Sequence, residues 1–170
     1  MLIGLLLAVG LQVRSQDVFD VQAELRGLYD EIAQATLQFT SEADVDQFHA
    51  VLYTPDWSVV DSKGQRHTWP ELRQREVAAL KEPMADSINP IIQKVTLGAD
   101  GATVVVMVQT MRTIVDTAGH YGRTGLMHTI TEDAVFRDQW VMVVGSWKLK
   151  AREEIGQPKT WVDRPVPDTH

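Results

Sequence analysis

From Asp138 to Glu153, apolar and polar positions alternate with a period of two on both sides of a Gly145-Ser146 turn. Trp140, Met142 and Val144 alternate with Val141 and Val143; Trp147, Leu149 and Ala151 alternate with Lys148, Lys150 and Arg152. This pattern predicts a β-hairpin with an indole on each arm. The N-terminal half follows a different period. Val18, Val21, Leu25, Leu28, Tyr29, Ile32 and Leu37 recur at three- and four-residue steps, which predicts a helix over 17–39 with Asp17 as its N-cap. A second helix is expected over 43–52, opened by a shortened capping box of Ser41 and Asp44 and stopped at Thr54-Pro55-Asp56. Short strands at 57–61 and 65–68 flank a Ser62-Lys63-Gly64 turn. Trp69-Pro70-Glu71 then opens a third helix that runs to about Lys81.

Beyond Ile88 the period of two returns. Strands are expected over 91–97, 102–115, 120–144 and 147–155, with the long third one bent near Gly122 or Gly125. The residues after Gly156 are Pro-rich, carry Trp161, and read as a tail that is extended over the body or disordered. Helices first and an antiparallel meander afterwards make an α+β domain, with three N-terminal helices packed on the concave face of a curved, mostly antiparallel sheet. Such a sheet forms a cone whose mouth is a natural ligand pocket.

Composition narrows the function classes. The 170 residues suit one domain, expected over 16–155, with a tail over 156–170. A net charge of −7 with scattered Lys and Arg argues against nucleic acid as a partner. The absence of cysteine excludes disulfides, thiolate metal sites and a Cys nucleophile. Residues 1–15 begin MLIGLLLAVGLQV, apolar except for Gln12. The run is shorter than the ~20 residues of a spanning helix and fits a secretory signal cut near Gln16. The expectation is a secreted or periplasmic protein with no stable membrane insertion after cleavage. No Lys or Arg precedes the apolar run, which departs from the usual signal pattern. No HExxH, Walker loop, dinucleotide glycine fingerprint or G-x-S-x-G elbow is present, so neither a metal nor an organic cofactor is expected.

Two segments carry a family resemblance. Leu52-Tyr53-Thr54-Pro55-Asp56-Trp57 through Asp61-Ser62-Lys63-Gly64 and the hairpin from Asp138-Gln139-Trp140 to Gly145-Ser146-Trp147-Lys148-Leu149 resemble the nuclear-transport-factor-2-like superfamily, in its SnoaL-like and ketosteroid-isomerase-like branch. The resemblance implies a cystatin-like cone and back-to-back homodimers through the sheet face. It also implies that Asp61 is the proton-shuttling base, and that a tyrosine on the first helix, here Tyr29, faces the pocket. Strand parity puts Trp57, Val59 and Asp61 on one face. Asp61 equally begins a good turn sequence, and Tyr29 equally suits a core position. On the long strand, parity groups His128, Ile130, Glu132, Phe136, Asp138, Trp140 and Met142. His128, Glu132 and Asp138 are therefore site candidates, because a polar group among apolar neighbours must be hydrogen-bonded or neutral.

Tyr53, Trp57, Trp69 and Trp140 suit the walls of a cavity for a flat, apolar or aromatic ligand. Val104, Val106 and Val108, or their alternates, would give the outer sheet face an apolar character that calls for a partner. The leading expectation is an exported, dimeric domain that binds a small apolar or aromatic molecule. One alternative is a cofactor-independent isomerase or lyase with Asp61 as base, partnered by His128 or Asp138. The other is a non-catalytic protein-interaction module.

Overall fold

The apolar stripe at the start of the chain becomes α1 (Val18–Gln38), which buries Val21, Leu25, Tyr29 and Ala33. The computed structural model describes residues 18–81 and 85–163; the N-terminal run read as a signal and the end of the tail lie outside the described residues. α2 (Glu42–Leu52) starts with the expected capping box: the Asp44 carboxylate accepts from the Ser41 backbone N–H at 2.9 Å, and the Ser41 hydroxyl accepts from the Asp44 N–H. α3 (Trp69–Ala79) begins with Pro70 in its first turn, and the Glu71 carboxylate accepts from the Thr68 N–H at 2.9 Å.

The strands are β1 (Tyr53–Val60), β2 (Arg66–Thr68), β3 (Ser87–Leu97), β4 (Gly101–Val115), β5 (Met127–Val143), β6 (Ser146–Glu154) and β7 (Lys159–Val162). They form one sheet in the order β2-β1-β6-β5-β4-β3, with β7 paired to β5. Every pairing is antiparallel except β1 with β6. The three helices and the mostly antiparallel sheet are the expected α+β cone. Its core gathers Val21, Leu25, Tyr29, Leu52, Trp57, Val104, Val106, Trp140 and Leu149.

Several expectations change. The long strand begins at Met127, not at residue 120, because 116–126 is a loop wound around Asp116. That buried carboxylate accepts backbone N–H groups from Ala118, His120 and Tyr121, the last at 2.7 Å. β1 starts at Tyr53, four residues early. Its pairing with β6 is interrupted between Tyr53 and Ser58, and Pro55, which has no N–H to offer, falls in that gap. The tail contributes β7, whose Trp161 sits opposite Thr131. Val104 and Val106 are fully buried on the inner face, so the outer face of β4 carries their alternates Val105 and Met107, both half-buried. The hairpin turn is Val144-Gly145, with both residues at positive φ, and closes the pair Val143 and Ser146.

Candidate functional site

A single extra residue in β6 creates the floor of the site. Trp140 pairs with Leu149, but Gln139 pairs with Ala151, so Lys150 is bulged out. Parity before the bulge puts Leu149 inward. After it, Arg152 takes the inward place, directly opposite Asp138. Simple alternation from Leu149 puts Arg152 on the solvent face with Lys148 and Lys150, which is why sequence reasoning missed it.

The result is a closed polar unit in the core. Asp138 is 0% exposed. Arg152 donates from Nε to Oδ1 at 2.8 Å and from Nη2 to Oδ2 at 2.7 Å. The Tyr29 hydroxyl donates to Oδ2 at 2.6 Å and accepts from the Trp140 indole N–H at 3.0 Å. The ring of Trp140 meets Tyr29 edge-on at 5.5 Å, and the Arg152 guanidinium lies 4.7 Å from the centre of the Phe136 ring. A buried carboxylate is tolerated only with such partners. Burial and the adjacent Asp138 charge push the Tyr29 phenol well above its ordinary range, so it remains a neutral donor.

Above this floor lies a cavity of about 300 Å³. Its walls are largely apolar: Tyr53, Trp57, Val59, Leu72, Ile88 and Val108, with Tyr29 and Arg152 from the floor and Glu76 from α3. A second cavity of about 230 Å³ adjoins it and shares Thr36, Glu76 and Ile88. Burial pushes the Glu76 carboxyl up to about 7, with the Arg152 charge acting in the opposite sense. Burial likewise raises the Tyr53 phenol well above its ordinary range. Tyr53 and Trp57 stand with ring centres 4.2 Å apart, and behind them His49 stacks on Trp69 at 3.7 Å and 10°.

The predicted residues divide by position. Tyr29, Tyr53 and Trp57 line the cavity, and Asp138 holds its floor through Arg152. Trp140 is buried in the core behind Tyr29. Trp69 is stacked on His49 and does not line the cavity. Glu132 is exposed on β5. His128 is buried towards the far end of β5, with Nδ1 2.7 Å from the Asp163 carboxylate. Asp61 does not line the cavity either. Its Oδ1 accepts N–H groups from Lys63 and Gln65, and its Oδ2 lies 3.0 Å from Nε2 of buried His67. These bonds, the one to His67 first, hold the Asp61 carboxyl below its ordinary range. Arg75 approaches Nδ1 of His67 at 3.4 Å, which assigns Nε2–H as the donor to Asp61.

Glu76 was the other residue missed. α3 reads as polar on most of its surface. Leu72, Glu76 and Leu80 form an i, i+4, i+8 row, but Trp69 and Val77 lie on a second row, so the pattern alone does not single out the line that carries Glu76. Among the described residues no group of three or more His, Asp or Glu is placed to hold a metal ion.

No family model and no curated protein matches the sequence. Solved structures do match. The Kfla4162 protein from Kribbella flavida superposes with a TM-score of 0.56 at 16% identity, over 84% of this chain and 95% of that one. The hexachlorocyclohexane dehydrochlorinase LinA-type3 from Novosphingobium barchaimii LL02 gives 0.54 at 14% identity, over 84% and 91%. An NTF-2 like protein of unknown function from Shewanella oneidensis MR-1 gives 0.52 at 13% identity, over 79% and 98%.

Proposed function

This chain has the nuclear-transport-factor-2-like fold, and from that premise we propose that it binds a small, mainly apolar or aromatic molecule in the conical cavity. The observation that carries this reading is the cavity of about 300 Å³, walled by Tyr53, Trp57, Val59, Leu72 and Val108 over the closed Asp138–Arg152 floor. That volume lies at the small end of ligand pockets, so the ligand is compact. Apolar walls supply affinity by burial, and the few polar groups fix orientation. A pure interaction module calls instead for a cone filled by Trp57 and Trp140. Trp140 is indeed core, but Trp57 stands at the wall of an open cavity.

Native mass spectrometry of protein recovered gently from its own host tests the reading. A retained small molecule, displaced by a Leu72→Trp variant that fills the cavity, is the expected result. No added mass, together with no quenching or shift of the tryptophan fluorescence by any of a panel of small aromatic compounds, would sink it. The same spectrum reports two further parts of the proposal. Residues 1–15 are read as an export signal, so the mature mass should lack them. The half-buried outer row of Val105, Met107 and Val135 is read as a homodimer face, so Met107→Glu should give monomers.

A second reading, a cofactor-independent isomerase or lyase with Asp61 as general base, is favoured by the Asp61–His67 pair, because a carboxylate and an imidazole in contact can relay a proton. It requires a substrate that reaches the rim, since Asp61 lies outside the cavity lining. An Asp61→Asn variant that turns over the retained molecule as fast as wild type would eliminate it.

A further inference from the structure

We propose that the cavity selects an organic cation: a compact amine, protonated in water, with an aromatic or apolar body and its ammonium set against Glu76. This deepens the ligand-binding reading above and rests on it. Three observations support it. Glu76 stands where the two cavities meet, on the row of α3 that faces them. Among the described residues its carboxyl makes no hydrogen bond and no ion pair, unlike Asp138, whose two oxygens accept three bonds. Tyr53 and Trp57 line the same space, and aromatic rings attract a cation held within about 6 Å of the ring centre.

The charges around the cavity decide the sign of the ligand. Arg152 on β6 and Asp138 on β5 form a bidentate pair, so the guanidinium is bonded to Asp138 and reaches Glu76 only through its charge. Tyr29 on α1 and Tyr53 on β1 are phenols held neutral by burial. Glu76 on α3 remains, and when ionised it is the one charged group among the described residues of the lining without a bonded partner. An unpaired carboxylate drawn out of water is costly, and a cation delivered by the ligand removes that cost. An anionic ligand would have to compete with Asp138 for Arg152 while facing Glu76. Burial has moved the Glu76 carboxyl to about 7, so its charge is gained as pH rises through neutrality. An aliphatic amine keeps its proton over this range, as lysine does. Amine affinity should therefore rise between about pH 5.5 and 8, while the affinity of a neutral isostere stays level.

Isothermal titration of the full chain with 2-phenylethylamine, 2-phenylethanol and 3-phenylpropanoate tests this. At about pH 8 the amine should bind roughly tenfold or more tightly than the alcohol, and the margin should shrink several-fold near pH 5.5. Glu76→Gln should remove the preference for the amine over the alcohol. The wild-type pH series makes the same test without any variant. If the alcohol binds as tightly as the amine, the cation inference falls and the pocket reading stands. If the propanoate binds most tightly, Arg152 selects the ligand and the inference is overturned. If none of the three binds, the cation inference falls, and the retained mass and the fluorescence panel decide the pocket reading.

Discussion

The floor and the wall of the cavity each hold an acid drawn out of water, and the two are handled in opposite ways. Asp138, at the floor, is sealed from solvent and accepts bonds from Nε and Nη2 of Arg152 and from the Tyr29 hydroxyl. Glu76, on the wall, is half-buried and has none of these partners, and burial sets its protonation. The difference separates architecture from availability. A buried charge that is fully bonded has nothing left to offer a ligand and serves to hold β5, β6 and α1 in one arrangement. A desolvated charge without partners is a standing cost unless it is neutral or met by something from outside.

The largest expected effect breaks the floor. Arg152→Ala leaves Asp138 buried without its cation and should cost about 3–5 kcal/mol of stability by urea titration. Replacing both residues together with apolar ones of similar size, Asp138→Leu with Arg152→Met, should recover most of that loss. If the single variant costs less than about 1 kcal/mol, the floor is not the closed unit described here. Next in size is Tyr29→Phe. It removes the 2.6 Å bond to Asp138 and takes the acceptor from the Trp140 indole, two buried bonds at once. A loss of about 2 kcal/mol is expected, with little change in cavity shape. A loss within error would place water, not the phenol, as the working partner of Asp138.

This contrast also marks where the sequence was legible. The stripe of α1 and the apolar alternation of β4 survive into the structure because each follows one period along its length. The Asp138 hairpin was visible for the same reason, and so was the inward place of Asp138 and Trp140. Arg152 was not, because one bulged residue, Lys150, inverts the parity of everything after it. Of the loop over 116–126, the break at 116–119 was legible and the part over 120–126 was hidden differently. Its Gly-rich sequence suits a bent strand, but the Asp116 carboxylate gathers the backbone N–H groups of Ala118, His120 and Tyr121 and outcompetes strand pairing there. Asp61 shows the converse case. Parity set it beside Trp57 and Val59, yet its turn bonds and His67 claim both oxygens. Glu76 required knowing which line of a mostly polar helix faces the cone, and that is decided by tertiary packing.

The wall is tested by pH. The Glu76 pKa stands at about 7 in the folded protein against an ordinary value of 4.5. Below the lower value both states carry the proton and the folded state suffers no penalty. As pH rises from there to about 7 the unfolded chain releases its proton first, so stability declines, and above that the deficit is constant. Glu76→Gln removes this dependence. The variant should match wild type near pH 4 and be more stable by about 1–2 kcal/mol near pH 8, a figure reduced for the water that still reaches a half-buried carboxyl. Melting temperatures across the range read the difference. Equal stability at the alkaline end would show that Glu76 already has a partner, and the contrast with Asp138 would disappear.

The smallest effect concerns how the floor is aligned at all. Asp138 and Arg152 face each other only because the β5–β6 hairpin has the right register, and the turn that closes it places Val144 at φ 49 with the residue 100% exposed. A β-branched residue is strained in the left-handed region, whereas Asn or Gly is not. Val144→Asn loses no buried contact and should therefore stabilise the protein by about 0.5–1 kcal/mol in urea. The same substitution placed in the Arg152→Ala background asks what sets the register. If the two changes add, turn and floor act independently and the bulge at Lys150 is held by pairing along the hairpin. If the gain from Val144→Asn grows when Arg152 is gone, the ion pair had been holding the strained turn in register, and the buried pair aligns the strands that form the cavity as well as closing its floor.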